Sequence, residues 1–373
     1  MTTPSKFSGP PPEGFKARRV TQTADGTVVS VQSVPSGTPH TKPVPDGHHV
    51  VGVSTLFGSD GEVAGQWVKT RATPAPVGAF DFLDAVTRHV RDVVVPSPPS
   101  AVPVFAGQEP DDLLNVFVWG DPHIGMLSHA RETGHNFDLK IAARELRRSA
   151  EMLVERAPRA KHAMFVEVGD LWHAENDSQL TPRGKNKLDV DGRKAKILDV
   201  GLAAVRHMLD QLLATHETVT VVLVPGNHDP DMALVTRVVL EAFYRNEPRL
   251  HILDNTDPWI YHRFGENLFL ITHGDKKVKP QELGEVMLAD RPEDTGSCRH
   301  RVAMTGHIHH KNVQEFRWGR WESFNSLCAP DFFHHAAGYR SQRVAEAITY
   351  HRTYGERSRV RLTHQELTDG LPA

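Results

Sequence analysis

Cysteine is nearly absent from this chain, with 2 residues in 373, Cys298 and Cys328. Two thiols cannot build a disulfide framework, which fits a reducing cytoplasm and casts both as small buried side chains. Long apolar runs are lacking too. No stretch could span a bilayer, so no membrane partner is expected. The segment Met1–Pro10 has no apolar signal core. A surplus of one charge sign is also missing: a net charge of -3 and a pI near 6.8 argue against wholesale coating of nucleic acid, while leaving room for local basic patches. With 39% hydrophobic and 24% charged residues, the composition is that of an ordinary globular protein. Its length allows one large domain or two unequal ones. What the sequence has in excess is histidine, 23 residues, many beside Asp, Gly or Asn. Imidazole is the commonest metal ligand among side chains, so the surplus hints at metal chemistry.

More than half of the 26 prolines fall before residue 112. Two segments there read as hairpins, Ala17 to Val34 around Asp25-Gly26 and Val50 to Val68 around Asp60-Gly61, because Asp-Gly between Val/Thr-rich runs is a hairpin signal. Phe80 to Val95 carries apolar residues at helical spacing. A Pro-rich run from Pro96 to Pro103 follows it. The expected organisation is a small β-rich N-terminal module at 1–95, a linker at 96–112 and a main domain at 113–365.

From Leu113 strands alternate with helices. Strands are expected at Asn115–Trp119, His162–Val168 and Val219–Val224, with helices at Phe137–Glu155 and Gly192–Thr215 between them. Such alternation indicates βαβ units and an α/β domain with a partly parallel sheet. Further short strands are expected at Leu268–Thr272 and Val302–Thr305, then strand-like pieces at Arg317–Phe324, Ala345–His351 and Ser358–Thr363. The mixture points to sheet packed on sheet with helices outside, an α+β sandwich.

Five of these strands end in candidate metal ligands. The first stops at Gly120-Asp121-Pro122-His123, the second at Gly169-Asp170 and the third at Gly226-Asn227-His228-Asp229. The fourth runs into His273-Gly274, and the fifth into Gly306-His307-Ile308-His309. Carboxyl ends of parallel strands share one edge, where ligands bind. Besides His228 and Asp229, the set holds two carboxylates, an amide oxygen and four imidazoles. That is too many donors for one ion and about right for two. Two divalent ions about 3.5–4 Å apart stabilise in-line displacement at phosphorus and make a bridging water acidic. Nitrogen and oxygen donors without thiolate favour Mn, Fe, Zn or Co.

In this order, Asp-x-His, Gly-Asp, Gly-Asn-His-Asp, a lone His and Gly-His-x-His resemble the calcineurin-like metallophosphoesterase superfamily, over about residues 113 to 330. The resemblance implies a four-layer αββα fold with the N-terminal module added. It implies that Asp121, His123 and His309 bind one metal, that Asn227, His273 and His307 bind another, and that Asp170 bridges them. Manganese is the first expectation, with Fe, Zn, Co or Mg also accommodated. A metal-bridged hydroxide would attack phosphorus, His228 would assist the leaving group, and Asp229 would orient His228.

The second motif separates branches. Protein phosphatases of the superfamily continue Gly-Asp with an Asp-Arg-Gly segment, and here the chain reads Gly169-Asp-Leu-Trp-His173. That is similar to the Mre11- and SbcD-like nuclease branch, where such a histidine sits near the substrate, so His173 is a candidate catalytic or phosphate-contacting residue; the alternative is a surface histidine on a first helical turn. Arg183, Lys185 and Lys187 are candidate phosphate ligands beside the second motif, against the alternative of a solvated loop. Arg317-Trp-Gly-Arg-Trp321 could stack single strands or be a hairpin with buried tryptophans. Leu188 to Arg193 and Ala347 to His351 with Gly355-Glu356 resemble phage-encoded DNA repair exonuclease-like members, which would act in host cytoplasm. The chain runs only to Ala373 after His309, which argues against a Rad50- or SbcC-like ATPase partner. The expected function is hydrolysis of phosphodiesters in nucleic acid, DNA before RNA. The alternatives are a phosphomonoesterase or small-nucleotide phosphodiesterase with the same metals, and a metal-binding scaffold without turnover.

Overall fold

A computed structural model describes residues 15–22, 28–35, 48–57 and 63–72, then 90, 94–101 and 103, and residues 111–369 without a break. The chain divides into two units, Met1–Phe82 and Leu83–Ala373.

In the first unit, β1 (Phe15–Gln22), β2 (Val28–Pro35), β3 (His48–Phe57) and β4 (Val63–Ala72) form an antiparallel sheet in which each strand pairs with the next. Both expected hairpins are therefore strand pairs. Their Asp-Gly turns lie outside the described residues, as does most of the expected helix at Phe80–Val95.

The second unit is α/β and carries two sheets. One has the order β15-β14-β5-β6-β7-β8, built from β5 (Leu113–Trp119), β6 (His162–Glu167), β7 (Thr218–Leu223), β8 (Leu250–Ile252), β14 (Val344–His351) and β15 (Gly355–Thr363). Strands β5 to β8 run parallel, and β14 joins β5 antiparallel. The other has the order β12-β13-β11-β10-β9, built from β9 (Ile260–Phe264), β10 (Asn267–Ile271), β11 (His300–Thr305), β12 (Asn312–Phe316) and β13 (Gly319–Ser323). Here β10, β11 and β13 are parallel.

Strand alternation explains the layering. Leu114, Val116 and Val118 of β5 and Met164 and Val166 of β6 share a core with Phe269, Ile271, Val302 and Met304 of the other sheet. Their neighbours Phe117, Trp119 and Phe165 point the opposite way, against helices. Period-two alternation thus gives each strand one face for each core. Burying each such side chain is worth about 1.5–3 kcal/mol.

The helices close the outer layers. Following the short α1 (Ala130–Thr133), α2 (Leu139–Arg156) starts where the Asp138 side chain accepts the Ile141 amide, and it buries Leu139, Ala142, Leu146, Ala150 and Leu153 on one face. Helices α3 (Lys194–Thr215) and α4 (Pro230–Phe243) cover the same sheet. On the other sheet, Leu283 and Met287 of α5 (Leu283–Asp290) pack with Leu268, Leu270 and Trp321, and α6 (Pro292–Ser297) follows. The layer order is helix, sheet, sheet, helix. Two short helices, α7 (Phe332–Ala336) and α8 (His364–Thr368), complete the unit.

Within the expected strand-like piece at Arg317–Phe324, β13 takes Gly319–Ser323 and a turn precedes it. Gly319 lies at φ 150°, and a Cβ there would sit 2.2 Å from the Arg301 carbonyl oxygen, so the chain reverses at this glycine. Trp321 is buried and donates to Thr305 Oγ1, and Trp318 stacks on Phe316. Those rings are occupied, which removes the stacking platform. No helix among the described residues is long and apolar enough to cross a membrane.

Candidate metal centre

Every one of the five strand-end motifs reaches the same edge of the sandwich. Five of the ligand candidates have left-handed backbones: Asp121 (φ 40°), His123 (φ 44°), Asp170 (φ 58°), His307 (φ 67°) and His309 (φ 55°). Non-glycine residues take that conformation at a cost of order 1–3 kcal/mol each, held by their surroundings. The cost here turns side chains from successive strand ends toward one point. Gly169 (φ 102°) makes the approach possible, since a Cβ there would lie 2.4 Å from His273 Nδ1.

Asp170 is the centre of the arrangement. Its Oδ2 lies 3.2 Å from His273 Nε2 and 3.9 Å from His123 Nε2, while its Oδ1 accepts the His228 amide at 2.8 Å. On one side, His123 Nε2 is 3.2 Å from His309 Nε2, which lies 3.6 Å from Asp121 Oδ1. On the other, Asn227 Oδ1 is 2.9 Å from His273 Nε2, and His307 joins Asp170 and His273 within ligand distance of a common point. Asp121, His123 and Asp170 form another such group. Asp170 thus lies between Asp121, His123 and His309 on one side and Asn227, His273 and His307 on the other.

The donor chemistry fits divalent cations. Asp121, Glu167, Asp170 and Asp229 are all at most 2% exposed, so four carboxylates share a buried region. Asp121 Oδ2 is buried with no hydrogen-bond partner among the described residues. His273 Nδ1 donates to the Val168 carbonyl at 2.9 Å, which leaves Nε2 facing two acceptor oxygens. Without an ion a proton must fill that gap, and although burial opposes its charge, Asp170 pushes His273 up to about 10. Burial works against ionised Asp170 as well, but the charge and hydrogen bond of His273 hold it well below the usual range. Burial raises Asp121 to about 7, and burial lowers His123 and His309, which keeps those imidazoles neutral, the form that ligates.

His228 lines a cavity of about 520 Å³ in front of these donors, together with Asp170, Asn227, His307 and His309. Its Nδ1 donates to the His173 carbonyl at 2.8 Å. This corrects the expected role of Asp229. Both Asp229 oxygens are taken by backbone amides, Gly226 at 3.0 Å and Trp172 at 2.9 Å, so Asp229 ties the second loop to the third and does not touch the His228 ring. His173 is not the surface histidine of the alternative reading. It is 1% exposed, with Nδ1 3.3 Å from His123 Nδ1 and its ring stacked on His228, and it does not line the cavity. It keeps its Nε2 buried with no hydrogen-bond partner among the described residues. It supports the two imidazoles in front of it.

Arg183 and Lys187 border the cavity, and Lys185 does not. Lys185 sits in a tight turn at φ 56° with its amide bonded to the Thr181 carbonyl. Arg183 is 80% exposed and lies 4.0 Å from Asp275, whose carboxylate also lines the cavity and holds Lys276.

Neither a family model nor a curated protein matches this chain. Solved structures that match include YfcE, a phosphoesterase from E. coli, at 16% identity over 66% of this chain and 98% of that one, with a TM-score of 0.32. Vps29 from Entamoeba histolytica, complexed with zinc, matches at 12% identity over 67% and 98%, with a TM-score of 0.28. A 5'-nucleotidase precursor from Thermus thermophilus matches at 14% identity over 67% and 54%, with a TM-score of 0.32. The reading of the centre stands on its own geometry.

Four residues at the centre escape a motif reading. Glu167 is fully buried, accepts the Gly169 amide at 2.8 Å and is pushed well above the carboxylate range by burial. Asp331 and His334 line the cavity as a pair 2.7 Å apart, with His334 stacked on His309 at 4.4 Å. The only sequence signal for them is an Asp with a His three residues later in a loop. Cys328 is buried near His309, and burial pushes its thiol up to about 12, so it stays protonated.

Proposed function

We propose that this chain is a dinuclear-metal-dependent phosphodiesterase of the calcineurin-like metallophosphoesterase superfamily, acting on nucleic acid and on DNA before RNA. The observation that carries the reading is Asp170, set between a His123/His309/Asp121 group and a His273/Asn227/His307 group. Divalent ions bound there, manganese first among N/O-ligated candidates, would supply Lewis acidity and an acidic bridging water.

The chain's own groups do the rest. Asp170 Oδ1 fixes the His228 backbone, and the His173 carbonyl fixes its ring through Nδ1. His228 Nε2 is then the nitrogen available to give a proton to the leaving oxygen or to hold a phosphoryl oxygen. Arg183 and Lys187 at the cavity rim would neutralise flanking phosphates, so binding should weaken as salt rises. The absence of an Arg after Gly169-Asp170 argues against a protein phosphatase.

The test is hydrolysis with Mn(II) of bis-p-nitrophenyl phosphate, p-nitrophenyl phosphate and end-labelled single- and double-stranded DNA, beside an Asn227→Ala control. Metal-dependent shortening of the DNA, lost in the control, is the expected outcome. Cleavage of the monoester alone, with DNA intact, would replace the substrate reading and leave the metal centre standing. Full activity in the control would sink the metal assignment.

A further inference from the structure

Beside the metal-site cavity lies a second one of about 230 Å³. The two share a wall formed by the stacked imidazoles of His309 and His334. Their chemistry differs. Asp170, Asp275 and Asp331 line the first. The second is lined by Arg340, Arg343, His135, His335 and His364, with hydroxyl, amide and a few apolar side chains and, among the described residues, no carboxylate.

One of its two guanidinium charges is answered inside the fold. Glu145 accepts from Arg343 and lies 3.2 Å from His364 Nδ1. Arg340 has no such partner among the described residues. It is exposed, and one of its nitrogens donates to the carbonyls of His335 at 3.0 Å and Tyr339 at 2.8 Å, which leaves its other N–H groups to a ligand. His335 Nδ1 is buried with no hydrogen-bond partner among the described residues. A concave surface of donors around an unanswered guanidinium suits an oxyanion, and guanidinium matches phosphate with two parallel hydrogen bonds.

We propose that this second cavity is an anion subsite that holds another phosphoryl group of the substrate, with Arg340 as its main ligand, while the scissile phosphate lies at the metal donors. The inference rests on the phosphodiesterase reading above and narrows it to substrates carrying at least two phosphates. The second group is either the neighbouring diester of a strand or a terminal phosphomonoester. Both present at least two non-bridging phosphoryl oxygens to Arg340.

The experiment compares wild type with Arg340→Ala, a change at an exposed side chain, on three substrates with Mn(II). Bis-p-nitrophenyl phosphate has one phosphorus, dTpdTpdT has two diesters and no terminal phosphate, and pdTpdT has a diester and a 5'-phosphate. In the variant, KM for a two-phosphate substrate divided by KM for the one-phosphate ester should rise about tenfold, as for loss of a charged hydrogen-bonded contact. A rise for pdTpdT alone assigns the subsite to a terminal phosphate. A rise for dTpdTpdT, alone or with pdTpdT, assigns it to the neighbouring diester. An unchanged ratio for both overturns the proposal. If wild type hydrolyses none of the three, it is the phosphodiesterase reading that fails, and binding of thymidine 3',5'-bisphosphate to metal-free protein then decides the subsite. About tenfold weaker binding by Arg340→Ala supports it, and equal affinity refutes it.

Discussion

Both oxygens of the Asp229 carboxylate accept backbone amides, from Gly226 and from Trp172. Truncation in Asp229→Ala would strand two buried N–H groups, at about 1–3 kcal/mol each. The expected outcome is a loss of about 2–6 kcal/mol in urea unfolding, together with weaker metal binding. Lost turnover at unchanged stability would return Asp229 to the role of orienting His228. That role is what chain neighbours suggest, because the partner amide of Trp172 is distant in sequence and invisible before folding. The strand-end ligands are legible for the opposite reason: each motif keeps its donors within a few residues of one strand end, as in Asp121-Pro-His123. Away from the centre, His216 is buried against Asn115 and the Leu212 carbonyl, and burial pushes it down to about 4. The unfolded chain takes up that proton near pH 6.5, so between 6.5 and 4 it binds more protons than the folded one. Stability should therefore fall as pH drops through that window, by about 1.4 kcal/mol per unit from this group. Urea midpoints at pH 6.5 and 4.5 should differ less in His216→Gln than in wild type.

Helix α3 places Gly201 against the Trp172 ring, where a Cβ would come within 2.3 Å of the ring carbons. Intrinsic propensity favours alanine over glycine in a helix by about 1 kcal/mol. Overpacking costs about 1–3 kcal/mol, and the ring is fully buried and tied through Nε1 to Thr236, so the steric cost should win. Gly201→Ala is expected to lower the melting temperature, and a higher one would show that Trp172 can move aside. Such helix-on-sheet contacts also mark what the sequence pattern conveys. The alternation of β5, β6 and β7 with α2 and α3 is legible from periodicity, because each element is long enough to repeat its pattern. Strand β8, with three residues, is too short for that. The turn before β13 is hidden inside a run of aromatics and arginines, and it is decided by Gly319 beside the Arg301 carbonyl.

Across the whole molecule, the two sheets are joined at a buried ionic cluster. Glu346 of β14 accepts from Lys311, Arg359 and Arg361, and Glu322 of β13 accepts from Lys311 and Arg359. Removing one partner from a buried charge network costs about 3–5 kcal/mol. Glu346→Ala should lower the urea midpoint accordingly. Because Lys311 follows His309 by two residues, the same variant should also bind divalent metal more weakly in a calorimetric titration. Intact metal affinity with lost stability would separate the cluster from the centre. No motif announces this cluster, since its charges come from four different strands and loops. The candidate donors divide in the same way: Asp121, His123, Asp170 and Asn227 leave one sheet, and His273, His307 and His309 leave the other. Two metal ions held by all seven would therefore work as a clasp across the open rim of the sandwich, with the ionic cluster as a second fastening. Losing the ions would free the two halves to gape at that rim, and a substrate seated there would feel the spacing between the sheets as the width of its slot.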